Sequence, residues 1–179
     1  ATKDPLSPQV PIIEHPDVKR MLLFQRAVVE GSLSLLMQCG KYVDLEKVLE
    51  GDEKEKYSLL LEILTPMAKT YPAEMGILAV SQALQCLGGY GYCDEFPLEQ
   101  LYRDARIHPI HEGTTGIQAL DLLGRKVTMK NGKAAMLLIK EIGETIASAK
   151  GVPELKTYAL ELEEAAGKLQ KVTAHLIDL

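Results

Sequence analysis

Seven apolar positions near the end of the chain, Leu155, Tyr158, Leu162, Ala165, Leu169, Val172 and Leu176, recur at alternating steps of three and four. An α-helix turns once every 3.6 residues, so this spacing lines all seven along one stripe. A strand cannot do so, because its side chains change face at every residue. The spacing therefore predicts a helix whose stripe packs against other helices as core. Ala135, Ile139, Ile142, Ile146 and Ala149 make the same case one helix earlier. Near the start, Val18, Leu22, Val29, Leu36 and Val43 share one broad side of a helix that opens at Pro16 and reaches the region of Gly40–Val43 or a little beyond. No alternating pattern of useful length appears. The expected fold is all-α: an up-down four-helix bundle with additional C-terminal helices.

Between these ends the chain is punctuated by proline and glycine. A helical region runs from about Tyr57 to Leu87, and it contains Pro66 and Pro72. Each proline removes a backbone donor and crowds the preceding turn, so the region is either two helices or one kinked helix. The charged stretch from Glu50 to Lys56 reads as a solvated connection or frayed helix start. Gly88 and Gly89 close the region, since glycine readily takes the left-handed conformation that ends helices. A loop over Tyr90–Phe96 follows, then a short helix from Pro97 through Arg106. His108-Pro109 breaks it, and Gly113-Thr114-Thr115 opens the next, with Ile117, Leu120 and Leu123 facing inward.

Composition excludes several classes of function. With 179 residues, 46% apolar and 25% charged, the chain suits a soluble domain with one full core and perhaps an appendage. A net charge of −5 disfavours nucleic acid as a partner, which needs clustered Lys and Arg. No apolar run approaches the roughly 20 residues that span a bilayer, and no signal peptide opens the chain. Cys39, Cys86 and Cys93 show no CxxC spacing and read as free thiols of a reducing compartment, so a cytoplasmic location is expected. The chain opens without Met and stops on a helical pattern, which suggests a fragment of a longer protein.

The chemistry concentrates in the stretch from Gln85 to Gln118. His108 and His111 are three apart, but Pro109 between them spoils a shared helical face. No Glu-x-x-His pair accompanies them, so no metal site is expected. Gly88-Gly89-Tyr90-Gly91 does not follow a strand, and the dinucleotide fingerprint does not apply. Its glycines would still let another group approach the backbone closely. Arg103 and Asp104 suggest an ion pair that fixes the short helix. Glu112, set among Gly113, Thr114 and Thr115, has two readings. It either stabilises the positive end of the following helix or serves as a base.

The order of blocks in this stretch resembles the C-terminal helical domain of the acyl-CoA dehydrogenases, flavoenzymes that oxidise acyl-CoA thioesters across the α–β bond. The resembling pieces are Gln85 with Gly88-Gly89-Tyr90-Gly91-Tyr92, Glu95-Phe96-Pro97, Arg103-Asp104-Ala105-Arg106-Ile107, Glu112-Gly113-Thr114, and Ile117-Gln118. The likeness is strongest from about Gly76 to Lys126. The lead-in PIIEHPDVKRMLL is similar to a subgroup of longer bacterial members, and residues from about Thr128 onward look like the extra C-terminal helices of those proteins. The resemblance implies a lead-in over residues 1–16, a bundle of the acyl-CoA dehydrogenase C-terminal type over 17–127, and an additional helical segment, truncated, over 128–179.

The same resemblance implies roles for single residues. Glu112 is the catalytic base that removes the α-proton while a β-hydride passes to flavin N5. Its backbone N–H is one of the donors that polarise the thioester carbonyl. Gly113 leaves room for the acyl chain. Gln85, Gly88 and Gly89 contact FAD bound mainly by a neighbouring subunit, and Thr114 lies near its pyrophosphate. Two positions depart from the family pattern. Gly116 stands where a glutamine is common, which puts an adenine-side contact in doubt. His111 replaces the usual tyrosine before the base, with a reshaped acyl pocket or an altered pH response of Glu112 as the consequence. The implied partners are an acyl-CoA substrate, electron-transfer flavoprotein as acceptor, and further copies in a dimer or tetramer. The implied alternatives are an acyl-CoA oxidase and a non-catalytic helical oligomerisation module. The other family domains supply most of the flavin and thioester contacts, so the chain alone is expected to be inactive and without bound FAD.

Overall fold

The computed structural model describes residues 6–177; the expectations for residues 1–5 of the lead-in and for residues 178–179 of the C-terminal segment lie outside the described residues. Among the described residues there are six α-helices and no strand: α1 (Pro16–Val48), α2 (Gly51–Leu87), α3 (Leu98–Ala105), α4 (Thr115–Asp121), α5 (Met129–Lys150) and α6 (Lys156–Ile177). The all-α reading holds. The chain divides into two compact units. One takes the residues up to Leu36 with Ala68–Thr115, and the other takes Met37–Met67 with the residues from Gly116 onward.

Helix α2 settles the question raised by its prolines. It runs unbroken through Pro66 and Pro72, and it begins at Gly51, so the charged stretch from Glu50 to Lys56 is the start of a helix, the second of its two readings, and not a connection. Two causes keep it continuous. Leu59, Leu60, Ile63, Leu64 and Pro66 are all buried, so breaking the helix there would expose its most apolar turns. Beside Pro66, the Thr65 hydroxyl donates to the Leu61 carbonyl at 2.7 Å, a local bond on a turn short of amide donors. Gly88, at φ +59, then closes the helix as expected.

The core of the second unit joins Leu59 and Ile63 of α2 to Ala134 of α5, with Met67, Leu122, Met129 and Leu138 packed around them. Between α4 and α5 the chain winds into one π-helical stretch, Leu122–Lys126, marked by the bond from the Val127 N–H to the Leu122 carbonyl at 2.9 Å. The extra residue in that turn shifts the register of the face, and Lys126 is buried within it. Its ammonium pairs with the Glu62 carboxylate and lies 3.9 Å from Asp121. Lys130, Asn131 and Gly132 then take left-handed φ, and regular winding of α5 follows them. Lys133 of α5 donates to Glu55 of α2 and holds that carboxyl below the usual carboxylate range. Glu141 bonds to Lys56 and raises the lysine above its ordinary value.

Three expectations need correction. The Leu155–Leu176 stripe is not core in this chain: its large side chains keep 44–69% of their surface. Helix α6 instead turns small residues inward, with Ala159 buried and Ala166 and Thr173 half-buried. Small side chains allow close approach of backbones, and α6 packs closely on α5. The expected inward set Ile117, Leu120 and Leu123 is likewise exposed. Helix α4 has only seven residues, too few to hold a packed stripe against a neighbour. On α1 the buried row is Met21, Val28 and Tyr42, one position ahead of the exposed Leu22 and Val29. The helix is apolar over a broader arc than its own neighbours cover.

The Lys126–Glu62 pair gives an asymmetric test. Glu62→Ala leaves a buried ammonium beside a more distant carboxylate and should destabilise by about 3 kcal/mol, whereas Lys126→Met, which keeps volume and removes the charge, should cost about 1 kcal/mol or less. Urea unfolding of the two variants measures the difference. Equal losses would mean that the lysine is held by packing alone.

Candidate functional site

The residues with chemical promise fall on two stretches of the first unit. Gln85, Gly88 and Gly89 lie exposed at the C-terminal end of α2 and in the 3-10 turn Gly88–Tyr92 that follows it. His111, Glu112, Gly113 and Thr114 form the loop between α3 and α4. Tyr90 folds back over Phe96 with ring centroids 5.9 Å apart, which closes the first stretch on itself. Gly91 is buried, and a Cβ there would fall 2.8 Å from the Leu84 carbonyl oxygen. That glycine is required by close packing of the turn against the helix. Gly88 and Gly89 are different, because a Cβ at either would meet nothing within 4 Å.

The loop of Glu112 is held from below by α2. Lys69 donates to the His108 carbonyl, and the Thr115 hydroxyl donates to the Glu74 carboxylate. The Thr115 N–H bonds the carbonyl of the buried Pro109 at 3.2 Å, so the five residues between them are closed into a loop. His111 Nδ1 lies 3.0 Å from the Ile107 carbonyl oxygen, which calls for a proton on Nδ1. Its ring stands 5.8 Å from that of His108. Both histidines line a cleft of about 260 Å³ together with Lys69, Pro72 and Ala73. Among the described residues no group of three or more His, Cys, Asp or Glu side chains converges as a metal site.

Glu112 is set apart by its backbone. Its φ is +46, and Gly113 follows at +93. A glutamate pays a steric penalty of about 1 kcal/mol or more in the left-handed region, where its Cβ crowds the following carbonyl. The Glu112 carboxylate is exposed and makes no hydrogen bond or ion pair among the described residues. Among the described residues no contact favours a glutamate at that position. A helix-stabilising role would need neither the strain nor the identity.

Sequence reasoning missed Lys69 and Glu74. They precede the residues they hold by 39 and 41 positions, and no local pattern links a helical lysine to a carbonyl that far along the chain. The expected ion pair between Arg103 and Asp104 does not form among the described residues: Asp104 accepts from Gln100 Nε2 at 2.8 Å instead.

Comparison with known proteins places these features in a family. The family model for the C-terminal domain of acyl-CoA dehydrogenases matches residues 3–127. A butyryl-CoA dehydrogenase of Syntrophomonas wolfei is 40% identical over 148 residues, covering 82% of this chain and 24% of that protein. A 3-methylmercaptopropionyl-CoA dehydrogenase of Ruegeria pomeroyi is 39% identical over 169 residues, 94% of this chain and 29% of that protein. A broad-specificity linear acyl-CoA dehydrogenase of Mycobacterium tuberculosis is 33% identical over 175 residues, 97% of this chain and 29% of that protein. The chain belongs to the acyl-CoA dehydrogenase family, as a C-terminal helical domain. It spans about a quarter of the length of the curated relatives it matches.

Two outcomes follow from this geometry. Glu112→Gly should raise the unfolding free energy of the chain by up to about 1 kcal/mol, because glycine enters the left-handed region freely. A loss of stability on calorimetry would show that the carboxylate has a structural role. Lys69→Met should speed hydrogen exchange of the Thr115 amide roughly tenfold, the value of one lost charge-assisted bond, while global stability stays nearly level. Unchanged exchange would mean that Lys69 does not hold the loop.

Proposed function

We propose that this chain is the base-bearing domain of an FAD-dependent acyl-CoA dehydrogenase that introduces a double bond between Cα and Cβ of an acyl-CoA thioester. The observation that carries this reading is Glu112: a glutamate held in a left-handed conformation, exposed, and without a partner among the described residues. Its place in the Glu112-Gly113-Thr114 motif matches the family base, and the chain belongs to that family.

In this reading the Glu112 carboxylate takes the α-proton and becomes the carboxylic acid. The Glu112 N–H donates to the thioester carbonyl and stabilises the enolate that develops there. Gly113 and the histidine-lined cleft admit the acyl chain, with His111 as a wall of the pocket. Lys69, Glu74 and Thr115 act as positioning residues that keep the loop in place. A base for so weak an acid works best when it is shielded from water, because burial raises a carboxylate's proton affinity. Here Glu112 is exposed, so the shielding walls come from elsewhere in the whole protein.

FAD, when bound, supplies the acceptor for the β-hydride. The reading assigns it to the exposed turn at Gly88 and Gly89, where a Cβ at either glycine would meet nothing within 4 Å and the backbone is open to a flat group. Gln85 would contact it beside these glycines, and Thr114 would lie near its pyrophosphate. Further parts of the reading are an electron-transfer flavoprotein as acceptor, assembly as a homo-oligomer, and a cytoplasmic location. No helix among the described residues is long and apolar enough to cross a membrane. The domain limits belong to this reading too: a lead-in over 1–16, the bundle over 17–127 and an additional helical segment over 128–179.

The test uses the full-length protein. Glu112→Gln keeps the shape of the side chain and removes the base, so kcat should fall by about 10²–10⁴ with FAD retained. Full activity in that variant would remove Glu112 from the reaction. Peroxide formed with oxygen as sole acceptor would point to an oxidase instead. The isolated chain should show no flavin absorbance and no turnover.

A further inference from the structure

The cleft of about 260 Å³ at the Glu112 loop is lined by Lys69, Pro72, Ala73, His108 and His111. Every ionisable side chain on that lining is a base, and no carboxylate shares it. The chain as a whole has a net charge of −5, so this local sign is against its average. The larger cleft of the second unit, about 510 Å³, has no such preference. Carboxylates line it beside the bases: Glu62 pairs with Lys126, and Glu55 with Lys130. A cleft with bases and no acid focuses its field on a negative group.

We infer that this cleft receives a carboxylate at the far end of the acyl chain, so that the substrate is a dicarboxylic acyl-CoA thioester. The inference rests on the reading of Glu112 as the α-proton base. Two donors are in place. Lys69 is half-buried and spends one N–H on the His108 carbonyl, which fixes the ammonium and leaves two of its three donors for a ligand. The His108 ring makes no hydrogen bond among the described residues, and a neutral imidazole carries an N–H donor in either tautomer. His111 differs, because its Nδ1 proton is spent on the Ile107 carbonyl at 3.0 Å. It serves as a wall, and the donor role falls to Lys69 and His108.

Size and lining favour the end of a chain over a free ion. Pro72 and Ala73 offer contacts to methylene groups beside the two donors. The volume falls below the roughly 300–1,000 Å³ of a pocket for a whole ligand, so the cleft suits one end of a larger molecule. His111 directly precedes Glu112, which sets the cleft wall and the base on neighbouring residues. A site with donors for a substrate group also rejects analogues that lack the group, since its donors are then left unpaired.

The test compares adipyl-CoA with hexanoyl-CoA as substrates of the full-length protein, two thioesters of equal length that differ in the terminal carboxylate. The ratio of their kcat/KM values should favour adipyl-CoA by about tenfold or more. Lys69→Met and His108→Phe should each reduce that ratio by roughly tenfold, the value of one lost charge-assisted hydrogen bond. The ratio cancels any general effect of either variant on the loop. A ratio near one, or a preference that both variants retain, overturns the inference. Glu112 keeps its role in that case if Glu112→Gln still abolishes hexanoyl-CoA turnover. A ratio near one together with inhibition by inorganic phosphate that His108→Phe relieves would give the cleft to a free anion instead, and also overturns it. No turnover of any acyl-CoA would remove the base reading itself, and this inference with it.

Discussion

Burial of the central turns of α2 is the constraint from which most of the structure follows. Leu59, Leu60, Ile63, Leu64 and Pro66 are too apolar to leave in water, so the helix stays continuous through two prolines that would otherwise break it. In the second unit Glu55 and Glu62 meet lysines of the later chain. In the first unit Lys69 and Glu74 reach the loop that bears Glu112.

That loop shows how stability and chemistry are separated. Its anchoring is ordinary: a lysine on a carbonyl, a threonine on a carboxylate, and an amide closing the ring. Its summit is not, because a glutamate there sits in a conformation that glycine would enter at lower energy. Strain without a local return is the pattern expected where a side chain serves a ligand rather than its own chain.

The same logic reads the apolar surface. Helices α1, α4 and α6 all expose stripes that amphipathic patterning marks for burial. A family domain that spans about a quarter of its relatives is expected to present surfaces that the rest of those proteins would cover.

Sequence alone determined the helical class, the ends of the main helices near Pro16 and Gly88, and the position of an unusual carboxylate at Glu112. These features are local, set by 3.6-residue periodicity, by proline and glycine geometry, and by which residues stand next to one another. The roles suggested for Gln85 to Thr114 came from resemblance, not from spacing. Only the tertiary structure decided which apolar stripe is inside. The seam of α6 and the set Ile117, Leu120 and Leu123 read as core because periodicity reports that a face is apolar, not what lies against it. Lys69, Glu74 and the buried Lys126 were invisible for a related reason. Each is defined by a partner 39 to 64 residues away, and such pairings exist only once the helices have packed.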